Sequence, residues 1–174
     1  MKPEREMIDT PLSSEELAVR YRAMCEDPCL TNVPGKLELD LWGRMVMSPP
    51  GTYHAMVQGR LWGRLTPLDG QIFGETPIVT ATGLFVTDAA WGSAEFIKKH
   101  GGETPLRRAP EICIEVVSPS NSAKELDEKR WGYLGAGAQE VWFLFLASKR
   151  CEFHGKHGRL ERSAFAVDLT GIFD

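Results

Sequence analysis

Two periodicities run along this chain, and the places where one gives way to the other mark its elements. Ser13 stands ahead of Glu15, Glu16, Leu17, Val19, Tyr21 and Met24, a spacing that predicts a capped amphipathic helix over 13–26, ended by Pro28, Asn32, Pro34 and Gly35. Leu37-Glu38-Leu39-Asp40-Leu41 alternates at period two, and Met45-Val46-Met47 follows Gly43, so two short strands are expected. Pro49-Pro50-Gly51 breaks the chain. Thr52 then caps a helix to about residue 65, with Met56, Val57, Leu61, Trp62 and Leu65 at helical spacing. Short apolar runs at 71–73, 77–79 and 84–86 read as strands, and 93–100 as a brief helix before a loop with Gly101, Gly102 and Pro105. Ile112 to Val117 is a continuous apolar strand broken only by Glu115. Ser118-Pro119-Ser120-Asn121-Ser122 is a turn that caps a helix over 122–135, which Gly135 and Gly137 stop. A central strand at 141–146 and a terminal hairpin from 152–154 and 159–161 complete the pattern. Helices at the start and between strands predict an α/β (α+β) domain with one mixed central sheet flanked by helices.

At 174 residues, with 43% hydrophobic and 25% charged positions, the chain fits a single globular domain over 1–174, in which 1–11 is expected to be a flexible N-terminal segment. No apolar run approaches the roughly 18 residues of a membrane span. The charged start, Met1-Lys2-Pro3-Glu4-Arg5-Glu6, has no apolar stretch behind it, so no secretory signal and a cytoplasmic location are expected. Four cysteines are too few for a disulfide scaffold at this length. A net charge of −4 argues against a general nucleic-acid coat protein, but not against a nuclease, where local charge and a bound metal override the net sign.

Candidate chemistry begins with Glu115. On period two it shares a face with Cys113 and Val117, in a run apolar enough to be buried on both faces. A carboxylate there costs several kcal/mol unless an arginine, a proton or a metal compensates it. Asp88 closes a second apolar strand, Leu84-Phe85-Val86-Thr87-Asp88; alone it is an ordinary strand terminator. Beside Glu115 it would complete an all-oxygen site for a hard divalent ion, with the carbonyl of Val116 as third ligand. On the 122–135 helix, Leu126, Lys129, Tyr133 and Leu134 fall on one side, placing Lys129 in or beside the core-facing stripe. An ordinary lysine with its stem along the core, or one paired to Glu125, is the bland alternative.

These features sit in an ordered series of motifs. Pro110-Glu-Ile-Cys-Ile-Glu-Val-Val-Ser-Pro-Ser-Asn121, Glu125-Leu-Asp-Glu-Lys-Arg130, Tyr133, Gly137 and Glu140-Val-Trp142 resemble the Uma-family restriction endonucleases, a bacterial branch of the PD-(D/E)xK nuclease superfamily. Upstream, Glu38-Leu-Asp40 with Gly43, Met47-Ser-Pro-Pro50, His54 and Gly83-Leu-Phe-Val-Thr-Asp-Ala-Ala-Trp91 extend the resemblance, which spans roughly 12–165. It implies that Asp88 is the first metal-binding aspartate and Glu115 the central acidic residue. Val117 stands where the superfamily lysine would be, and the resemblance implies that the lysine has moved to the next helix as Lys129. Glu38 and His54 match positions resembling auxiliary active-site residues. Thr87, Phe145 and Glu125 depart from the family pattern, standing where relatives often carry Pro, Asp and Asp.

The function so implied is a divalent-metal-dependent endonuclease using Mg²⁺ or Mn²⁺ on double-stranded DNA, acting as a homodimer. Lys129 is expected to orient water or offset charge rather than abstract a proton, because two carboxylates raise its pKa. A catalytically silent nuclease-like domain that binds nucleic acid or protein is the alternative, and a purely structural Lys129–Glu115 pair is a third. Phosphate-loop, Gly-x-Ser-x-Gly and His-Glu-x-x-His signatures do not occur.

Overall fold

A computed structural model describes residues 10–174 apart from Thr31, Pro34 and Pro50. The expected N-terminal segment therefore lies almost entirely outside the described residues, as do the helix and strand breakers at 34 and 50. The first helix, α1 (Ser14–Glu26), opens with a complete capping box: Ser13 Oγ accepts from the Glu16 amide while the Glu16 carboxylate accepts from the Ser13 amide. Strands β1 (Lys36–Asp40) and β2 (Met45–Ser48) form a hairpin, and α2 (Thr52–Leu65) follows. The N-cap of α2 is Gly51, without a side-chain cap, so Thr52 is the first helical residue rather than the cap.

The middle contains β3 (Gln71–Phe73), β4 (Thr76–Val79), β5 (Gly83–Thr87) and β6 (Ala89–Gly92), then α3 (Ala94–His100). Strand β7 (Ile112–Val117), helix α4 (Ala123–Ala136) and strands β8 (Glu140–Phe145), β9 (Arg150–Gly155) and β10 (Gly158–Leu160) complete the order. Ser122 caps α4, and Gly137, at φ 114°, ends it in the left-handed conformation that a Cβ would oppose; Gly135 lies within the helix. Among the described residues no helix is long and apolar enough to cross a membrane.

The fold is mixed, as expected, with its strands divided between two sheets. One has the order β2-β1-β5-β4 and is antiparallel throughout. The other has the order β10-β9-β8-β7-β6-β3, with a single parallel pair, β7–β8. Parallel neighbours need a crossover, and α4 supplies it. The stretch 83–92 runs through both sheets. Its first half pairs with β1 and β4 and its second half with β3 and β7, and the change of sheet falls at Asp88.

All six residues of β7 are buried, as its sequence requires. Ile112, Ile114 and Val116 face a core shared with Val57, Leu61 and Leu65 of α2. Cys113 and Val117 face the opposite way, into a core with Phe85, Tyr133 and Phe143 on the α4 side. Period two thus sorts β7 into two faces, and Glu115 lies on the second. The chain's last turn returns to the first core, where Ile172 and Phe173 are buried.

Candidate functional site

Three strands and two helices bring charged side chains together where the two sheets meet. Glu38 comes from β1, Asp88 from the β5–β6 switch, Glu115 from the centre of β7 and Lys129 from the middle of α4. All four are buried, each no more than 4% exposed. Lys129 Nζ donates to Glu38 Oε1 at 2.9 Å and to Glu115 Oε2 at 3.1 Å, and stands 5.8 Å from the centre of the Phe85 ring. The sequence-expected partner of a bland lysine, Glu125, instead accepts from Asn121 Nδ2 at 2.9 Å.

Neighbouring groups fix each carboxylate. Tyr133, one helical turn beyond Lys129, donates its hydroxyl to Glu115 Oε1 at 2.6 Å. Glu38 Oε1 also accepts from the Val86 amide at 2.7 Å, tying β1 to β5. Asp88 Oδ2 accepts from the Val116 amide at 2.7 Å and lies 3.2 Å from His54 Nε2, which reaches in from the first turn of α2. Gln58, on the next turn of α2, donates to the Asp88 carbonyl at 2.6 Å. Val116 enters the cluster through its amide, beside the Asp88 carboxylate.

The sequence did not single out Lys36. The first residue of β1, it sends its ammonium to the Val86 carbonyl at 2.9 Å and Asp88 Oδ1 at 2.8 Å, with Glu115 Oε2 at 3.6 Å. Its side chain is 11% exposed and that of His54 22%, against 4% for Lys129, so the cluster opens to solvent on the Lys36 and His54 side.

Two comparisons bear on this geometry. The sequence profile of the Uma2 family, described as "Putative restriction endonuclease", matches residues 19–169. The chain belongs to the Uma2 family. Its fold is similar to that of a solved structure described as "a putative nuclease belonging to DUF820 from Anabaena variabilis", with a TM-score of 0.58 at 17% identity over 75% of this chain and 77% of that one. No curated protein matches the chain.

The electrostatics of the cluster follow from its burial. Three carboxylates face two ammonium groups, which leaves one negative charge over when His54 is neutral. Burial by itself would raise the Asp88 carboxyl, but the His54 hydrogen bond and the Lys36 ammonium outweigh it and bring the group down to about 2. Glu115 is pushed up: desolvation, with Asp88 and Glu38 nearby, exceeds the pull of Lys129 and Lys36. Desolvation would lower both lysines, but the carboxylates hold them above the ordinary lysine value, so both stay protonated near neutrality. The Asp88 hydrogen bond raises His54.

Among the described residues no group of three or more His, Cys, Asp or Glu side chains is arranged to hold a metal ion unaided. A hard divalent ion does not require one; it is commonly held by one or two carboxylates, carbonyl oxygens and waters. Val86 O, Asp88 Oδ1 and Glu115 Oε2 already converge on one cationic point, the Lys36 ammonium, inside a cluster with surplus negative charge. That donor chemistry fits Mg²⁺ or Mn²⁺.

Proposed function

We propose that this chain is a divalent-metal-dependent endonuclease that hydrolyses DNA phosphodiester bonds. The observation that carries the reading is the buried cluster in which Glu38 and Glu115 hold the Lys129 ammonium while Asp88 and Glu115 meet at that of Lys36. Membership of a family described as "Putative restriction endonuclease" supports it.

Asp88 and Glu115 would hold Mg²⁺ or Mn²⁺ with a backbone carbonyl, that of Val116 or that of Val86, which shares the Lys36 ammonium with both carboxylates. When bound, the ion supplies an acidified water and a Lewis acid for the scissile phosphate. The protein's own groups do the rest. Tyr133 and Lys129 fix the Glu115 carboxylate, and the Val116 amide fixes that of Asp88. Glu38 holds Lys129 as well, so two carboxylates fix the ammonium. Because its pKa is raised, Lys129 orients water or offsets phosphate charge as a permanent cation and does not serve as a base. His54, on the open side and bonded to Asp88, would meet a phosphate oxygen.

Plasmid and short-duplex cleavage in Mg²⁺ or Mn²⁺ tests this. Glu115→Gln and Lys129→Met are each expected to reduce cutting by about 100-fold or more. Variants that cut as fast as the natural sequence would remove these residues from the chemistry. An RNA substrate in parallel decides between nucleic acids, and sedimentation of the pure chain checks the homodimer that the family resemblance implies.

A further inference from the structure

Lys36 has three features that Lys129 lacks. It touches the two proposed metal ligands and a carbonyl oxygen at once, it lies on the open side of the cluster, and it begins its strand. Its ammonium therefore stands in the oxygen cradle itself, with Val86 O at 2.9 Å, Asp88 Oδ1 at 2.8 Å and Glu115 Oε2 at 3.6 Å. Mg²⁺ takes such oxygens at about 2.0–2.1 Å, so an ion and an ammonium cannot share the position. Lys129 is a poor candidate to leave, being 4% exposed and within hydrogen-bond distance of two carboxylates. Lys36 reaches Glu115 only as an ion pair at 3.6 Å and is partly open to solvent.

We propose that Lys36 is a resident stand-in for the divalent ion, a competitor within the chain that must swing out of the cradle before the ion seats. The charge count favours the exchange. With His54 neutral, three carboxylates with Lys36 and Lys129 leave one negative charge, whereas three carboxylates with Lys129 and a divalent ion balance. The strand holds the backbone of Lys36 opposite Ser48, so the four-carbon stem alone makes the movement. Its tip then lies on the side from which a phosphate arrives. Lys36 thus neutralises the carboxylates in the metal-free protein and becomes a phosphate-facing cation once the ion is in place. The inference rests on the metal-dependent reading above.

Two measurements on the intact chain without nucleic acid test it. In the first, trace acetylation with mass spectrometry follows each lysine with and without Mg²⁺. Labelling of Lys36 should rise about fivefold or more while Lys129 stays protected, a change expected from release of a buried amine to solvent. In the second, calorimetry follows Mn²⁺ binding to the natural sequence, to Lys36→Met and to Lys124→Met, the last removing an exposed lysine on α4. Lys36→Met should bind about tenfold more tightly, and Lys124→Met should match the natural sequence. If Lys36→Met does not fold, the labelling decides alone. Ion binding with unchanged Lys36 labelling and no gain in Lys36→Met overturns the stand-in role and leaves the metal site intact. Failure of every protein to bind either ion overturns the metal-dependent reading, and this inference with it.

Discussion

The buried cluster makes a strong demand on stability that Lys129→Met exposes. Methionine keeps the length and apolar stem but removes the charge that lies 2.9 Å from Glu38 and 3.1 Å from Glu115, all three side chains being no more than 6% exposed. Removing one member of a buried ion pair costs about 3–5 kcal/mol, because the remaining charge has lost its partner without regaining water. Here two carboxylates are left facing each other. Against a domain stability of roughly 5–15 kcal/mol the loss is large. With a urea slope of about 2 kcal/mol per molar, it lowers the unfolding midpoint by roughly 2 M in chelator at neutral pH. The same variant carries extra uncompensated negative charge, so it should respond strongly to Mg²⁺. At about a hundred times its Kd, the ion returns roughly 2.7 kcal/mol. Glu38→Gln in the same background should recover part of the loss without metal, giving a coupling of about 1 kcal/mol or more in a double-mutant cycle. A loss under about 1 kcal/mol, or strict additivity of the two changes, would refute the claim that this lysine neutralises a buried carboxylate pair.

Other perturbations separate the site from its scaffold. Gly132→Ala places a Cβ 2.6 Å from Thr82 Oγ1 and 2.7 Å from Thr80 Oγ1, pushing α4 off the β4–β5 turn; urea melts should show a loss of about 1–3 kcal/mol and nicking assays a parallel fall, since Lys129 moves with the helix. Glu140, 3% exposed, accepts from Trp142 Nε1 at 2.6 Å, Ser163 Oγ at 2.7 Å and the Ala164 amide at 2.7 Å. Glu140→Ala should cost about 1–3 kcal/mol and open the 161–171 segment to limited proteolysis. Burial lowers His154, so the unfolded chain takes up its proton first as pH falls. Its contribution is complete above about 6.5 and is lost as pH drops towards the depressed folded value; thermal melts at about pH 7.5 and about pH 5 should show a smaller drop for His154→Gln than for the natural sequence.

What the chain disclosed in advance depended on how local each signal was. Glu115 was legible because a carboxylate within six otherwise apolar residues violates its surroundings, and the strand is buried along its whole length. Helical spacing placed Lys129 on the same stripe as Tyr133, and both now meet Glu115. Asp88 was legible as a residue but not in its setting. The run Gly83 to Gly92 has no breaker, so it reads as a strand ending in a turn, whereas the structure bends it between two sheets at Asp88. Lys36 left no mark at all. A lysine at the start of a strand looks solvated, and its partners Val86 and Asp88 lie 50 and 52 residues away. Gln58 is similar: its bond to the Asp88 carbonyl, 30 residues away, exists only because α2 packs on β6 and β7.

The composition of the cluster weighs against a purely structural role. An ion pair kept for stability needs one charge of each sign and is readily replaced by apolar residues, because desolvation consumes most of what the attraction returns. This cluster instead has three buried carboxylates for two ammonium groups, and burial drives the Glu115 carboxyl upward despite both lysines. Removing Glu115 and Lys129 together in favour of packed side chains would relieve the fold of that tension. Stability therefore does not account for the surplus of negative charge. The proposed divalent ion does once Lys36 has left, since with His54 neutral it then balances the charge, matches the oxygen donors and lies where the cluster is open. The same surplus explains the role assigned to Lys36: a carboxylate pair waiting for an ion is hard to keep buried when empty, and a mobile ammonium within the chain keeps it folded until the ion arrives.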